Sequence, residues 1–169
     1  MNKKTKITFI VFLVLAIGLN LFILINAFIP GEESKLVASP IVKLCAAICN
    51  FFNHGCVPDP IPDDFIILVR KLVGHFSCFL VDGVLTTMVV YLGFKGKLKN
   101  IFLTLISVGY GIALAGLTEI IQLFIPGRAG SIVDVFYDSM GYIVGAFLLY
   151  LAYSLVITRK KEKENSQKE

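Results

Sequence analysis

TEIIQLFIPGRAGSIVDVFYDSMG, residues 118–141, decides how the chain is read. Glu119, Gln122, Arg128, Asp134 and Asp138 lie around a Pro126-Gly127-Arg128 turn. On either side, Ile101 to Thr118 and Ile143 to Ile157 carry no charged residue. A bilayer-spanning helix takes about 20 apolar residues, so the stretch reads as a helical hairpin in lipid with the turn at one end. Ionisable groups within such helices are costly; they face the bundle interior and mark function.

Composition agrees. The 169 residues are 56% hydrophobic with mean hydropathy +0.80, above the roughly 45–50% apolar content of a soluble domain. The chain reads as one small integral membrane domain, residues 1–169. Its net charge of +4 is distributed by topology rather than gathered on one face, which argues against nucleic acid as a partner. The spacing of Cys45, Cys49 and Cys56, with His54 between the last two, fits no standard zinc pattern. A bridge to Cys56 and a metal cluster stay open, but small apolar residues on an interfacial helix are the simpler reading. No cofactor and no metal is assigned.

Outward from the hairpin, four spans are expected: about 7–29, 72–94, 101–125 and 132–157. The first follows a short basic start and is too long for a cleaved signal peptide, with no small-residue cleavage site. Between the first two spans lies an insert, residues 30–64. There Ser39-Pro40 reads as a helix start, and Ile41, Leu44, Cys45, Ile48 and Phe52 follow at helical spacing. This predicts an amphipathic helix on the membrane surface. The alternating prolines of Val57 to Pro62 predict extended chain. Asp63 or Asp64 should cap the next helix. Residues 158–169 form a charged tail, expected to be disordered from Glu162 on. The fold class is therefore all-α: a polytopic membrane protein of four transmembrane helices with an extracellular amphipathic helical insert between the first and second.

Lysines gather in the N-terminus, in the 93–100 loop (Lys95, Lys97, Lys99) and in the tail, whereas the insert is acidic overall. The positive-inside rule then puts both termini in the cytoplasm. His75, Glu119, Gln122, Arg128, Asp134 and Asp138 all fall near the outer boundary. Glu119 lies six residues before Ile125, about 9 Å at helical rise. Asp82, seven residues after His75 on the same face, is the deepest charge, suited to pairing with His75 or Lys71.

Three readings of this cluster stay open, and spacing alone does not specify metal binding through Glu119, Asp134, Asp138 and His75. Arg128, a rigid fork of donors, and His75 can hold an anion while Glu119 and an aspartate orient it. Alternatively Glu119, His75 and Asp134 act as general acid and base. Or the network simply locks the hairpin. Gly141 and Gly145, a G-x-x-x-G pair, and Gly109, Ala113 and Gly116 read as close-packing positions.

Glu119-x-x-Gln122-x-x-x-Pro126-x-Arg128, followed by Asp134 and Gly141, resembles the signature of the VanZ-like family, and Lys71-x-x-x-His75-Phe76 resembles its upstream motif. The resemblance covers roughly Arg70 to Tyr150. Asp138 stands where the family usually has Asn, and Cys78-Phe79 where an acid and a Tyr are common; the role of that acid is then either vacant or moved to Asp82. The resemblance implies a multi-pass protein of the bacterial cell membrane, linked to resistance against teicoplanin. On the reading of the cluster itself, Glu119, His75 and Asp134 are the catalytic candidates and Arg128, Gln122, Asp138, Lys71 and Asp82 the ligand-binding ones. The implied partners are the lipid bilayer and a lipid-linked peptidoglycan precursor or the lipoglycopeptide itself.

Overall fold

The computed structural model describes residues 2–94 and 96–166; Lys95 of the basic loop and the last three residues of the tail lie outside them. The described chain is entirely helical. Helix α1 is Lys3–Ala27, α2 Gly31–Phe52 and α3 Asp63–Val69. Helix α3 continues without a break through a π-helical segment, Arg70–Phe76, into α4, Ser77–Gly93. Helices α5, Asn100–Gln122, and α6, Ile132–Ser166, complete the chain.

Helices α1, α2, the continuous rod Asp63–Gly93, α5 and the Ile132–Val156 part of α6 are each long and apolar enough to cross a bilayer. Their surfaces agree: Val14, Ile25, Leu105, Leu117, Leu148 and Leu155 are exposed, while Asp82, Thr87, Thr104, Ser107, Glu119 and Asp138 are buried. A water-soluble fold has the reverse arrangement. In lipid, apolar side chains meet the solvent, and polar groups must satisfy one another inside. The chain is a multi-pass membrane protein.

Helix α4 is central, packing on α6, α1 and α5, while α5 also lies along α6. Glycine sets the α4–α6 contact. A Cβ on Gly141 would strike the Phe76 carbonyl, one on Gly145 the Leu80 carbonyl, and one on Gly83 the Tyr142 carbonyl. The G-x-x-x-G expectation therefore holds. On α5 the expected set shifts: Gly109 and Gly116 have open space at Cβ, and Ala113 is exposed. Gly111 and Ala115 are the buried small residues, Gly111 lying flat against the Tyr142 ring. The spacing signal was right; the face was one step off.

Three other boundaries differ from expectation. Helix α2 begins at Gly31, eight residues before Ser39, and runs through Pro40. Pro30 ends α1's run in extended conformation, and Glu32 and Glu33 suit the positive N-terminal turn. Pro40 is exposed, so its ring faces outward, and the hydrogen bond it forfeits is to the carbonyl of exposed Leu36. The cap of α3 is Pro62, with Asp63 and Asp64 in the first turn, where they favour the helix by charge rather than by a capping bond. Finally, α6 extends to Ser166 instead of fraying at Glu162, because residues 159–164 are strong helix formers.

Helix α2 packs lightly against α3 and the π-helical segment through buried Val42 and Ala46. At its C-terminal end, Cys49 Sγ and Cys56 Sγ lie 2.6 Å apart, and Asn50 exchanges two hydrogen bonds with the Val57 backbone, at 3.0 and 2.8 Å. These contacts fold the non-helical Val57–Pro62 segment back on α2.

Gly145→Leu should lower the thermal midpoint in detergent by several degrees, the cost of overpacking being roughly 1–3 kcal/mol. Gly109→Ala, with open space at Cβ, should leave the midpoint unchanged or slightly raised.

Candidate functional site

The site forms where the end of α5, the start of α6 and the π-helical segment meet. A polar backbone group at a helix end in lipid needs a partner. Glu119, 4% exposed near the end of α5, supplies one: its Oε2 accepts the Ser131 N–H at 2.8 Å. Ser131 then opens α6, its Oγ accepting the Asp134 N–H at 3.4 Å. The Ser131-x-x-Asp134 pattern is a helix-start signal readable in the sequence. One carboxylate thus ties the two arms of the hairpin, while Glu119 Oε1 is buried without a hydrogen-bond partner.

On α6, Asp134 and Asp138 face the π-helical segment. His75 Nδ1 lies 3.1 Å from Asp138 Oδ1 and 3.4 Å from Oδ2. Lys71 Nζ stands 3.3 Å from Asp134 Oδ1, a charge contact whose alignment falls short of a hydrogen bond. The same ammonium sits 5.5 Å above the Tyr137 ring. The π-helical turn matters here: it widens the helix locally and re-phases the faces above and below it. Such segments concentrate at functional sites. Ser77 Oγ donates to the Leu72 carbonyl at 2.8 Å, a second bond to the carbonyl that already accepts the Ser77 N–H. Nothing in the spacing of residues 70–76 announced it.

Arg128 points away from the carboxylates. Its Nε donates to the Ile29 carbonyl at 3.1 Å and Nη2 to the Asn26 carbonyl at 3.0 Å, and the Gly31 N–H donates to the Pro126 carbonyl at 3.1 Å. The turn therefore clasps the end of α1, and only part of the guanidinium faces open space. Burial and neighbouring Arg70 weaken its hold on its proton, while Glu119 and Asp134 strengthen it.

Two cavities adjoin the cluster. One, about 220 Å³, has largely apolar walls including Phe22, Ile23, Val37, Ile41, Val73 and Phe79. The other, about 210 Å³, is lined by Lys35, Arg70, Lys71 and Arg128 against the single carboxylate of Asp134. Arg70, His75, Gln122 and Arg128 line both.

His75, Glu119, Gln122, Arg128, Asp134, Asp138 and Lys71 are thus brought to one place. Asp82 is not among them. Wholly buried, it accepts from Asn20 Nδ2 at 2.7 Å and Thr86 Oγ1 at 3.0 Å, and Tyr110 donates to Asn20 Oδ1 at 2.6 Å. Seven residues along a helix is about 10 Å, beyond reach of His75 or Lys71, and Asn20 on α1 takes the partner's place. Asp82 belongs to the helix-packing core, not to the site. Arg70 and Ser131 are site residues that the spacing argument passed over. Among the described residues, His75, Glu119 and Asp138 are the grouping of metal-ligating side chains that converges; the cysteines with His54 form none.

A family model described as VanZ/LLP1 matches residues 9–153. The chain belongs to the VanZ/LLP1 family. The match takes in α1 and α2, well beyond the Arg70–Tyr150 stretch that carries the motif resemblance. Membership links the chain to membrane proteins of glycopeptide resistance. No curated protein and no solved structure matches it.

Arg128→Ala should cost roughly 1–3 kcal/mol by removing the side-chain bonds to the Asn26 and Ile29 carbonyls, read as a lower unfolding midpoint in detergent. Arg128→Lys should recover only part, because a single ammonium lacks the fork that spans both carbonyls.

Proposed function

We propose that this VanZ/LLP1 protein lowers susceptibility to teicoplanin and related lipoglycopeptides from the bacterial cell membrane. It does so through an outward-facing site that binds a lipid-anchored cell-wall precursor or the drug. In this reading both termini are cytoplasmic, four helices span, and α2 lies on the outer surface. The observation that carries it is the meeting of the two cavities. An apolar groove opening onto a basin with four cationic side chains and one carboxylate suits an amphiphile with an anionic head: a chain in the groove, a phosphate or carboxylate against Arg70, Lys71 and the free edge of Arg128. Lipid-linked precursors and lipoglycopeptides both have this form. His75 and Gln122 stand at the junction, with Asp138 on the apolar side.

A second reading, a membrane-embedded hydrolase or transferase on a lipid-linked substrate, draws on the His75–Asp138 pair at 3.1 Å. A carboxylate that orients an imidazole is a common setting for a general base, and Glu119 lies beside it.

Expression in a sensitive host should raise the inhibitory concentration of teicoplanin several-fold. Lys71→Ala, Asp134→Asn and Glu119→Gln should each return it toward the host's value at unchanged membrane abundance. No rise with the wild-type chain would refute the resistance reading. A parallel fall in resistance and abundance would assign the cluster a purely structural role.

A further inference from the structure

We propose that His75, Glu119 and Asp138 form a binding site for one divalent transition-metal ion of the zinc class. Each residue comes from a different element: the π-helical segment, α5 and α6. One ligand atom from each lies within 4.8 Å of the other two. Metal–ligand bonds of about 2.1 Å require about 3.4 Å between tetrahedral ligands, so modest side-chain rotation closes the set.

Two features beyond proximity point to a cation. Glu119 is 96% buried, since 4% is exposed, and its Oε1 has no hydrogen-bond partner. An unpaired carboxylate oxygen in the interior of a membrane protein is expensive. Its other oxygen is held by the Ser131 N–H at 2.8 Å, the kind of outer contact that orients a metal-binding carboxylate. Asp138 is 1% exposed and its partner in hydrogen-bond range is His75. With a neutral imidazole the pair of buried carboxylates carries charge −2, which a divalent ion cancels. The donor set decides the class: imidazole nitrogen with carboxylate oxygens suits zinc, iron or manganese over calcium. Three protein ligands leave a coordination position open. His75 and Asp138 both line the apolar cavity, and His75 also lines the cationic one.

The inference rests on the proposed function for its view that the site faces a ligand, but the ion is measured without any drug. Failure of metal binding leaves the susceptibility result standing, and an unchanged susceptibility leaves the metal titration standing.

The test uses full-length protein in detergent with all four cysteines replaced by serine, which removes thiol binding at Cys49 and Cys56. After chelator treatment, zinc is titrated in competition with a chromophoric chelator, and bound metal is counted by elemental analysis. One equivalent should bind with micromolar or tighter affinity, raise the unfolding midpoint, and compete over a large excess of calcium. His75→Gln and Glu119→Gln should each weaken binding at least 100-fold, with apo midpoints confirming that they fold. Absence of stoichiometric zinc in the cysteine-free protein overturns the proposal, whether or not the variants fold. So does binding that survives both substitutions, or that calcium matches.

Discussion

In hydrocarbon a buried polar group has no water to fall back on, and every feature of this chain answers to that. The central case is the bond from the Ser131 N–H to Glu119 Oε2 at 2.8 Å. It closes the hairpin, supplies a partner for an otherwise orphaned helix-start donor, and aligns α5 with α6 so that Asp134 and Asp138 face the π-helical segment. Because the donor is backbone, the bond fixes where the carboxylate sits without using its second oxygen. Stability and chemistry thereby draw on one side chain from opposite ends.

The same requirement shapes the rest of the interior. Ser107 bridges Thr87, at 2.8 Å, and Tyr142, at 2.9 Å, while Tyr91 pairs with Thr104 at 2.6 Å. These bonds cross between α4, α5 and α6 and sit among glycines that bring the backbones together. Close backbone approach and side-chain hydrogen bonds are the two means of holding helices together where water supplies no hydrophobic drive. Asp82 with Asn20 extends the pattern to α1. This is why a charge that looks functional in sequence turns out to be a packing residue: in lipid, both roles call for the same residue types.

How far the chain was legible follows from what each signal depends on. Apolar length and the lysine-rich loops depend on composition alone; they marked the helices around 7–29, 72–94, 101–125 and 132–157, but the rod Asp63–Gly93 starts earlier, α6 runs on to Ser166, and Gly31–Phe52 is also long and apolar enough to span. The cluster was legible because Glu119, Asp134, Asp138 and His75 are rare types in apolar runs. Arg128 was visible as a residue but not in its contacts: its partners are main-chain carbonyls of Asn26 and Ile29, and carbonyls leave no trace in a sequence. The π-helical segment, Arg70–Phe76, was hidden too: Gly74 is its one breaker-type residue, and a single glycine does not announce a change of helix type. The start of α2 was missed because Ser39-Pro40 is a genuine start signal overridden by a better-placed Pro30.

The clasp of Arg128 on α1 sets a timetable for biogenesis. The two carbonyls it satisfies precede it by 99 and 102 residues. At about 5–20 residues per second, the first helix leaves the ribosome several seconds before the residue that completes its end. Over that interval the Ile29 carbonyl is left to water, while the Asn26 carbonyl keeps the Ile29 N–H. The end of the first helix is thus completed only by the turn that also carries the two arms of the polar site.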